Sequence, residues 1–140
     1  MAALKSQGAS ISRLDTVVSP NVYVAIPKAT TIGGPSGSAA VIPITSLDST
    51  AVEKIMGLPD EGQVSLGLIW QGETSNAVQV ALRTDRATQT LQTFQIKLTD
   101  SPQSTYQFTA YVTNWELDVG VDSVTTVNVV LEITGAVTVV

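Results

Sequence analysis

The chain contains neither cysteine nor histidine in its 140 residues. Without cysteine, disulfides and thiolate chemistry are excluded. Without histidine, the usual general base, the usual zinc ligand and the Ser/His and Cys/His nucleophile pairs are missing. Any metal would have to be held by carboxylates alone, and we therefore expect no cofactor and no metal site.

Charged residues are also scarce, at 14% of the chain, and the net charge is −5. Tight binding of nucleic acid needs clustered cations, and only seven Lys and Arg are present. The longest uncharged run, Ala29–Leu47, is interrupted by three glycines and a proline between residues 33 and 37, which is typical of a loop and not of a membrane span. The first residues lack the apolar stretch of a signal peptide, so we expect a protein made in the cytoplasm that does not enter a membrane.

Valine, isoleucine and threonine are abundant, and these residues suit a pleated strand better than a helix. A chain of this length buries roughly 68% of its extended surface when it folds as one domain. We expect a flexible arm over residues 1–19 and a single domain over 20–140. A long Gly/Pro/Ser loop over 27–38 is compatible with two interpretations, a disordered connector or a segment that orders on contact with a neighbouring subunit.

Alternating apolar residues predict six strands. They lie at Asn21–Ile26, Ala39–Thr45, Gln63–Gln71, Thr90–Thr99, Ser104–Asp118 and Ser123–Thr134. In the longest of them, Ser104–Asp118, large residues fall on both faces. The predicted helices and strands do not alternate regularly, which argues against a parallel sheet, and the turn at Asp118–Asp122 favours an antiparallel hairpin.

Two segments carry the pattern of short helices. Residues 48–56 begin with possible capping residues, continue with an apolar stripe and end at Gly57 and Pro59. Residues 74–87 place Val78, Leu82 and Asp85 on one face. The predicted fold is mainly β: an antiparallel β-sandwich or barrel with one or two short flanking α-helices.

Carboxylates are the remaining candidates for chemistry. Asp60 with Glu61, or Glu116 with Asp118, could form a glycosidase pair, but the first two lie in a turn and the last two on one face of a strand. Asp118 and Asp122 could ligate calcium, although their spacing lacks the EF-hand pattern. We predict that the protein is not an enzyme.

The aromatic residues could in principle form a platform for stacking sugars. Trp70 shares its parity with Val64, Leu66 and Leu68, which favours a place in the core. Trp115 is compatible with two interpretations, a core position or an anchor at a subunit contact.

Several segments of the chain follow one another in a characteristic order. They are Val41–Lys54, Met56–Gly62, Gln63–Trp70, Ala77–Ala87, Phe94–Asp100, Tyr106–Val112 and Leu131–Gly135. As an ordered set covering about residues 20–137, these segments resemble the major tail tube proteins of long-tailed bacteriophages (siphophages). Pro43 departs from the family pattern, which usually has an acidic residue there. Because proline lacks the N–H that a ladder needs, this strand is expected to be an edge or irregular.

The resemblance implies a β-sandwich shared with the inner tubes of contractile tails and with type VI secretion tubes. It implies hexameric rings stacked head to tail, in a virion tail assembled in the host cytoplasm. The implied partners are further copies of the chain and the tape-measure, tail-tip and tail-terminator proteins. Double-stranded DNA would pass through the lumen without specific binding.

Two sets of residues are candidates for these roles. The candidates for contacts between subunits or rings are Leu4, Ile11, Leu14, Thr31, Ile32, Pro35, Trp115, Val119 and Val121. The candidates for the lumen wall are Glu116, Asp118, Thr126, Asn128 and Glu132. A type VI or contractile-tail inner tube protein is the main alternative, and a monomeric carbohydrate-binding β-sandwich is the alternative from another class.

Overall fold

A computed structural model describes residues 7–15, 22–72, 77–100 and 102–139, which contain nine strands and one helix. The strands are β1 (Ser10–Asp15), β2 (Val22–Ala25), β3 (Ala29–Gly33), β4 (Ser38–Pro43), β5 (Lys54–Asp60), β6 (Gln63–Ile69), β7 (Gln92–Lys97), β8 (Thr105–Asp118) and β9 (Thr126–Val139). The helix is α1 (Ala77–Thr88). The prediction of a mainly β antiparallel fold with a flanking helix is confirmed.

Seven strands form one antiparallel sheet in the order β2-β1-β7-β8-β9-β6-β3, and β4 and β5 form a separate two-stranded sheet. One face of the large sheet carries the core. Its buried apolar residues are Ile11, Ile26, Val64, Leu66, Leu68, Leu82, Phe94, Ile96, Phe108, Ala110, Val112, Val127, Val129, Leu131 and Ile133. None of the helices in the described part of the chain is long and apolar enough to cross a lipid bilayer.

A β-bulge in β8 explains why the alternation of this strand is ambiguous in the sequence. The register with β9 shifts between Val112 and Asn114, so that Thr113 is the extra residue. Before the bulge, Phe108, Ala110 and Val112 are buried; after it, Trp115 takes the core face opposite Val129. The inserted residue moves the side-chain alternation by one position because successive side chains of a strand point to opposite faces.

Helix α1 packs its apolar stripe against the core face of the sheet. Val78, Ala81, Leu82 and Asp85 are buried or half-buried, as the sequence pattern predicts. The buried side chain of Gln79 ties the first turns to the sheet: its oxygen accepts from the backbone N–H of Gln71 at 3.0 Å. Its amide nitrogen donates to the carbonyls of Ile69, at 2.9 Å, and Pro27, at 3.3 Å.

The helix predicted over residues 48–56 is wrong. Residues 44–53 form the tip of a hairpin, and Lys54–Asp60 is the strand β5, paired with β4. The signals that favoured a helix are local ones, whereas an isolated short helix needs an apolar partner for its stripe, and no described element packs there. Pro43 is the last residue of β4, which has β5 as its one described partner and a register shift at Ala39–Val41, so the expected irregular edge is confirmed.

Two expected irregular segments contain strands. The loop predicted over 27–38 includes β3, which pairs with β6 in spite of its small residues. The arm predicted over 1–19 includes β1, which lies between β2 and β7 inside the sheet. Ser10–Asp15 is therefore part of the body, because Ile11 fills the core. Residues 1–6 and 16–21 lie outside the described residues.

Candidate assembly surfaces

The face of the sheet opposite the core is polar across β8, β9 and β6. Cross-strand pairs place Glu116 beside Asn128 and Asp118 beside Thr126. Glu132 lies between Tyr111 and Gln63, and the Gln63 side-chain amide donates to its carboxylate at 2.7 Å. All five residues that the sequence predicts for a lumen wall therefore share one face.

The charge on these strands has a single sign. Strands β3, β6, β8 and β9 contain three carboxylates, Glu116, Asp118 and Glu132, and neither lysine nor arginine. Glu116 and Asp118 are exposed, and Glu132 is half-buried. Since the other side chains of this face are mainly threonine, serine, asparagine and glutamine, the surface is hydrated and acidic. No group of three or more possible metal ligands is found among the described residues.

The residues predicted for subunit contacts have mixed positions. Ile11 is completely buried in the core, where it lies opposite Ile96 of β7, so its prediction as a contact residue is wrong. Thr31, Val119 and Val121 are exposed, whereas Leu14, Ile32 and Pro35 are half-buried. Leu4 lies outside the described residues.

Trp115 is half-buried on the core side of β8. Its ring meets that of Trp70 edge to face, with centroids 5.5 Å apart, and the Arg83 guanidinium carbon lies 5.8 Å from its centroid. These contacts place Trp70 and Trp115 in one internal cluster between the sheet and α1. The core interpretation therefore accounts for both tryptophans within the subunit.

The two-stranded sheet of β4 and β5, with its tip at residues 44–53, forms an arm whose apolar residues are open to solvent. Leu47 and Leu58 are 105% and 93% exposed. The other exposed apolar residues of the arm are Val41, Ile42, Ile44, Val52, Ile55 and Met56. The pairs Val41/Met56 and Ile42/Ile55 lie on opposite faces of the hairpin, so both faces expose apolar side chains, which marks a contact site in a soluble protein. The sequence does not predict this surface, because the capping signals and apolar stripe of residues 48–56 favour a helix there.

Polar contacts within the tip hold the arm in shape. The Glu53 N–H donates to the Thr45 hydroxyl at 2.8 Å, and the Ile44 N–H donates to the Glu53 carbonyl at 2.9 Å. The Ser49 hydroxyl donates to the Glu53 carboxylate at 2.7 Å. The exposed apolar side chains are thus presented on an ordered hairpin.

The arm meets the body where the two backbones cross closely. A β-carbon on Gly34 would lie 2.3 Å from the Gln63 carbonyl oxygen, and one on Gly62 would lie 2.2 Å from the Ser36 carbonyl oxygen. Both glycines have positive φ, at 99° and 76°. Only glycine satisfies both the conformation and the close approach, so this crossing sets the direction of the arm.

Comparison with known proteins relates the structure to tubes. The chain matches no known family profile and no curated protein. Its fold is similar to a chain from the tail of an empty gene transfer agent particle with C6 symmetry (TM-score 0.79, 15% identity, covering 99% of each chain). It is also similar to the SPP1 tail tube (TM-score 0.70, 14% identity, covering 95% of this chain and 77% of the other).

The protein has the tail-tube fold. The same fold is found in the sheath-tube complex of an extracellular contractile injection system (TM-score 0.73, 13% identity, covering 99% of this chain and 92% of the other). The TM-scores establish the tail-tube fold, and at such low identities they do not separate contractile from non-contractile systems. The expected mainly β, antiparallel fold of tail tube proteins is therefore confirmed.

Proposed function

We propose that this protein is the major tail tube protein of a long-tailed bacteriophage, a non-enzymatic subunit that forms stacked hexameric rings around a DNA conduit. The observation that carries the proposal is a tail-tube fold with a polar sheet face on which all charges are carboxylates. Such a subunit would work in the virion tail after assembly in the host cytoplasm. Its partners would be its own copies and the tape-measure, tail-tip and tail-terminator proteins.

The acidic face of β8, β9 and β6 is the part of the surface best suited to line the channel. Six copies would bring about 18 carboxylates from Glu116, Asp118 and Glu132 to each ring. Phosphates are repelled by a wall of this sign, so the duplex would slide without adhering. Double substitution Glu116→Lys and Asp118→Lys is therefore expected to slow DNA ejection from assembled virions, most strongly at low salt.

A control for the position of the added charge is Thr84→Lys, which adds one positive charge on the exposed side of α1, away from this face. Normal tubes with slower ejection in the double variant alone would support the repelling wall. If ejection is unchanged in virions carrying the double variant, the acidity serves solubility only.

The arm is the surface best suited to contact the next ring. It carries the most exposed leucines of the described residues, Leu47 and Leu58, and apolar contacts of this kind drive association. The exposed turn that contains Val119 and Val121 is a second candidate for axial contact. Residues 1–9 and 34–37, which lie outside β1 and β3, are further candidates for contact with the next ring.

Negative-stain microscopy of the purified protein tests the assignment. We expect rings or tubes with a central channel, and a stable monomer at every concentration, absent from virions, would contradict it. Leu47→Ser with Leu58→Ser should abolish tubes and leave the subunit folded. Leu91→Ser is the matched control, because Leu91 is 44% exposed and lies outside the arm.

An inner tube of a contractile or type VI system is a second candidate, supported by the likeness to a contractile injection system. It predicts that the assembled tube binds a sheath protein along its outer surface. A carbohydrate-binding module is less well supported. It needs an exposed row of aromatic rings, whereas Trp70 and Trp115 pack against each other under Arg83.

A further inference from the structure

An apolar cleft of about 400 Å³ lies between β3 and the neighbouring ends of β1 and β7. Ile96, which lines it, is a buried core residue, and Ile32 and Leu98 are half-buried and pack against the core. The rest of the lining consists of small residues, which are Ala9, Ala29, Thr30, Thr31 and Gly34. Among the described residues no charged side chain lines the cleft, so it suits an apolar occupant.

The first described residues of the chain lie beside this cleft. Ala9 belongs to its lining, and Gly8 packs closely against the segment that follows β7: a β-carbon on Gly8 would lie 3.3 Å from Cγ2 of Thr99. The φ of Gly8 is 98°, a backbone conformation that favours glycine. The chain is therefore fixed next to the cleft up to the point at which residues 1–6 begin.

Residues 1–6 have the composition and the length that the cleft requires. The first four, Met-Ala-Ala-Leu, have no charged side chain, and Lys5 and Ser6 connect them to Gln7. Leu4 precedes Ala9 by five positions, and an extended connection of this length spans up to about 17 Å, enough for Leu4 to reach any part of the lining. Residues 16–21, in contrast, begin at the opposite end of β1, roughly 17 Å from Ala9.

We propose that in the free subunit residues 1–6 occupy the cleft of their own copy, with Leu4 as the apolar anchor against Ile32 and Leu98. Burial of Leu4 and of the apolar lining offsets the conformational entropy that the segment loses when it is ordered. The same segment of another copy has the same chemistry, but a tethered segment acts at an effective concentration of the order of millimolar, which favours the copy to which it belongs. This proposal goes beyond the tube assignment and does not depend on it.

The docked segment also covers an open strand border. Within the described residues β3 pairs with β6 alone, and Thr30, Thr31 and Ile32 of β3 line the cleft. A chain that lies in the cleft runs beside the unpaired side of β3 and shields its backbone groups from other chains. The segment therefore acts as a cover that keeps the free subunit from associating non-specifically through this border.

Introduced cysteines test the docking directly, because the chain has none of its own. Leu4→Cys is combined with Leu98→Cys, or with Ala29→Cys at an exposed position where substitution leaves the core intact. Lys97→Cys is the matched control, because Lys97 is adjacent to Leu98 and exposed, and its side chain points to the opposite face of the strand. When the dilute subunit is oxidised, both cleft combinations should form an intramolecular disulfide at least about tenfold faster than the control.

Equal rates for the cleft combinations and the control, or covalent dimers in place of cross-linked monomers, would overturn the proposal. Hydrogen exchange gives a second readout without cysteines: Leu4→Ser should raise the exchange rate of the β3 amides at least about threefold, and Lys5→Ser should leave it unchanged. Exchange in Leu4→Ser at the wild-type rate would also overturn it. Both experiments use the free subunit, so their failure leaves the tube assignment standing, whereas wild-type protein that forms no tubes refutes that assignment alone.

Discussion

Arg13 and Asp85 are joined by two parallel hydrogen bonds, 2.8 Å from Nε to Oδ2 and 2.9 Å from the second nitrogen to Oδ1. The pair connects β1 with α1, and the side chains are 16% and 5% exposed. The arrangement is bidentate and largely shielded from water, so each charge is stabilised in the folded state by the opposite charge of its partner.

Asp85→Asn is expected to lower the free energy of unfolding by about 3 kcal/mol, because the Arg13 charge would lose its partner in a largely buried site. Urea denaturation of the isolated subunit measures the change. Lys97→Met, which removes an exposed charge from β7, should change stability by less than about 0.5 kcal/mol. Equal effects of the two substitutions would show that the pair has no special role.

Gln79→Leu is expected to destabilise the subunit by about 2–3 kcal/mol, since three hydrogen bonds to the backbone of Gln71, Ile69 and Pro27 would be lost in a buried place. Thermal unfolding checks the loss. Gln89→Leu, on an exposed glutamine just after α1, is the matched control and should be nearly neutral. A change at Gln79 no larger than that at Gln89 would contradict the anchoring role.

Gly34→Ala and Gly62→Ala are expected to misdirect the arm, because the added β-carbons would collide with the backbone of Gln63 and Ser36. Purified variants should keep the core folded and form few or no tubes in negative stain. Gly72→Ala and Gly135→Ala serve as controls, since both positions have positive φ but open space around them. Loss of tubes in all four variants would indicate backbone strain alone as the cause.

The bulge in β8 predicts the results of two changes at Thr113. Thr113→Val keeps the extra residue and loses one hydroxyl bond to Val130, which should cost about 1 kcal/mol. Deletion of Thr113 should leave the subunit folded, because Asn114 would follow Val112 directly in an unbroken ladder that keeps Trp115 on the core face and Glu116 on the polar face. Circular dichroism and urea denaturation follow both variants, and a deletion variant that fails to fold would contradict the assignment of Thr113 as the extra residue.

The hydrogen bonds of Asp100 predict that the stability of the fold depends on pH. The hydroxyl and the backbone N–H of Ser104 both donate to this carboxylate and hold its pKa below the ordinary value of 3.8. A carboxyl whose pKa is lower in the folded state stabilises the fold above its unfolded pKa, and this contribution is lost as the pH falls through the folded pKa. Asp100→Asn should therefore lower the melting temperature at pH 6 and have little effect at pH 2. An equal effect at both values would contradict this.

The sequence predicts those elements whose spacing of apolar residues fits only one type of secondary structure. Val64, Leu66 and Leu68 of β6 alternate strictly, and the Val78 and Leu82 stripe of α1 has the helical period, so both elements follow from local spacing. The four predicted strands β6, β7, β8 and β9 are consecutive in the large sheet, in the order β7-β8-β9-β6.

The parts that the sequence does not predict depend on distant contacts. Ile55 and Met56 belong to a strand because β4 pairs with them, and the local capping signals at Asp48 and Ser49 say nothing of that partner. The place of Ile11 in the core depends on β7, about 85 residues further along the chain. The sequence predicts the individual residues of the polar face. They share one surface because the extra residue Thr113 shifts the alternation of side chains in β8 by one position.

Cleavage of the arm by a protease can also report on polymerisation. Lys54 is the one lysine or arginine between Lys28 and Arg83, and it is exposed at the start of β5. Trypsin is therefore expected to cut a free subunit at this exposed bond and divide it into residues 1–54 and 55–140, two fragments that the sheet holds together. If neighbouring rings cover the arm as proposed, this bond is protected in tubes, and the fraction of chain uncut at Lys54 measures how much of the protein has entered them.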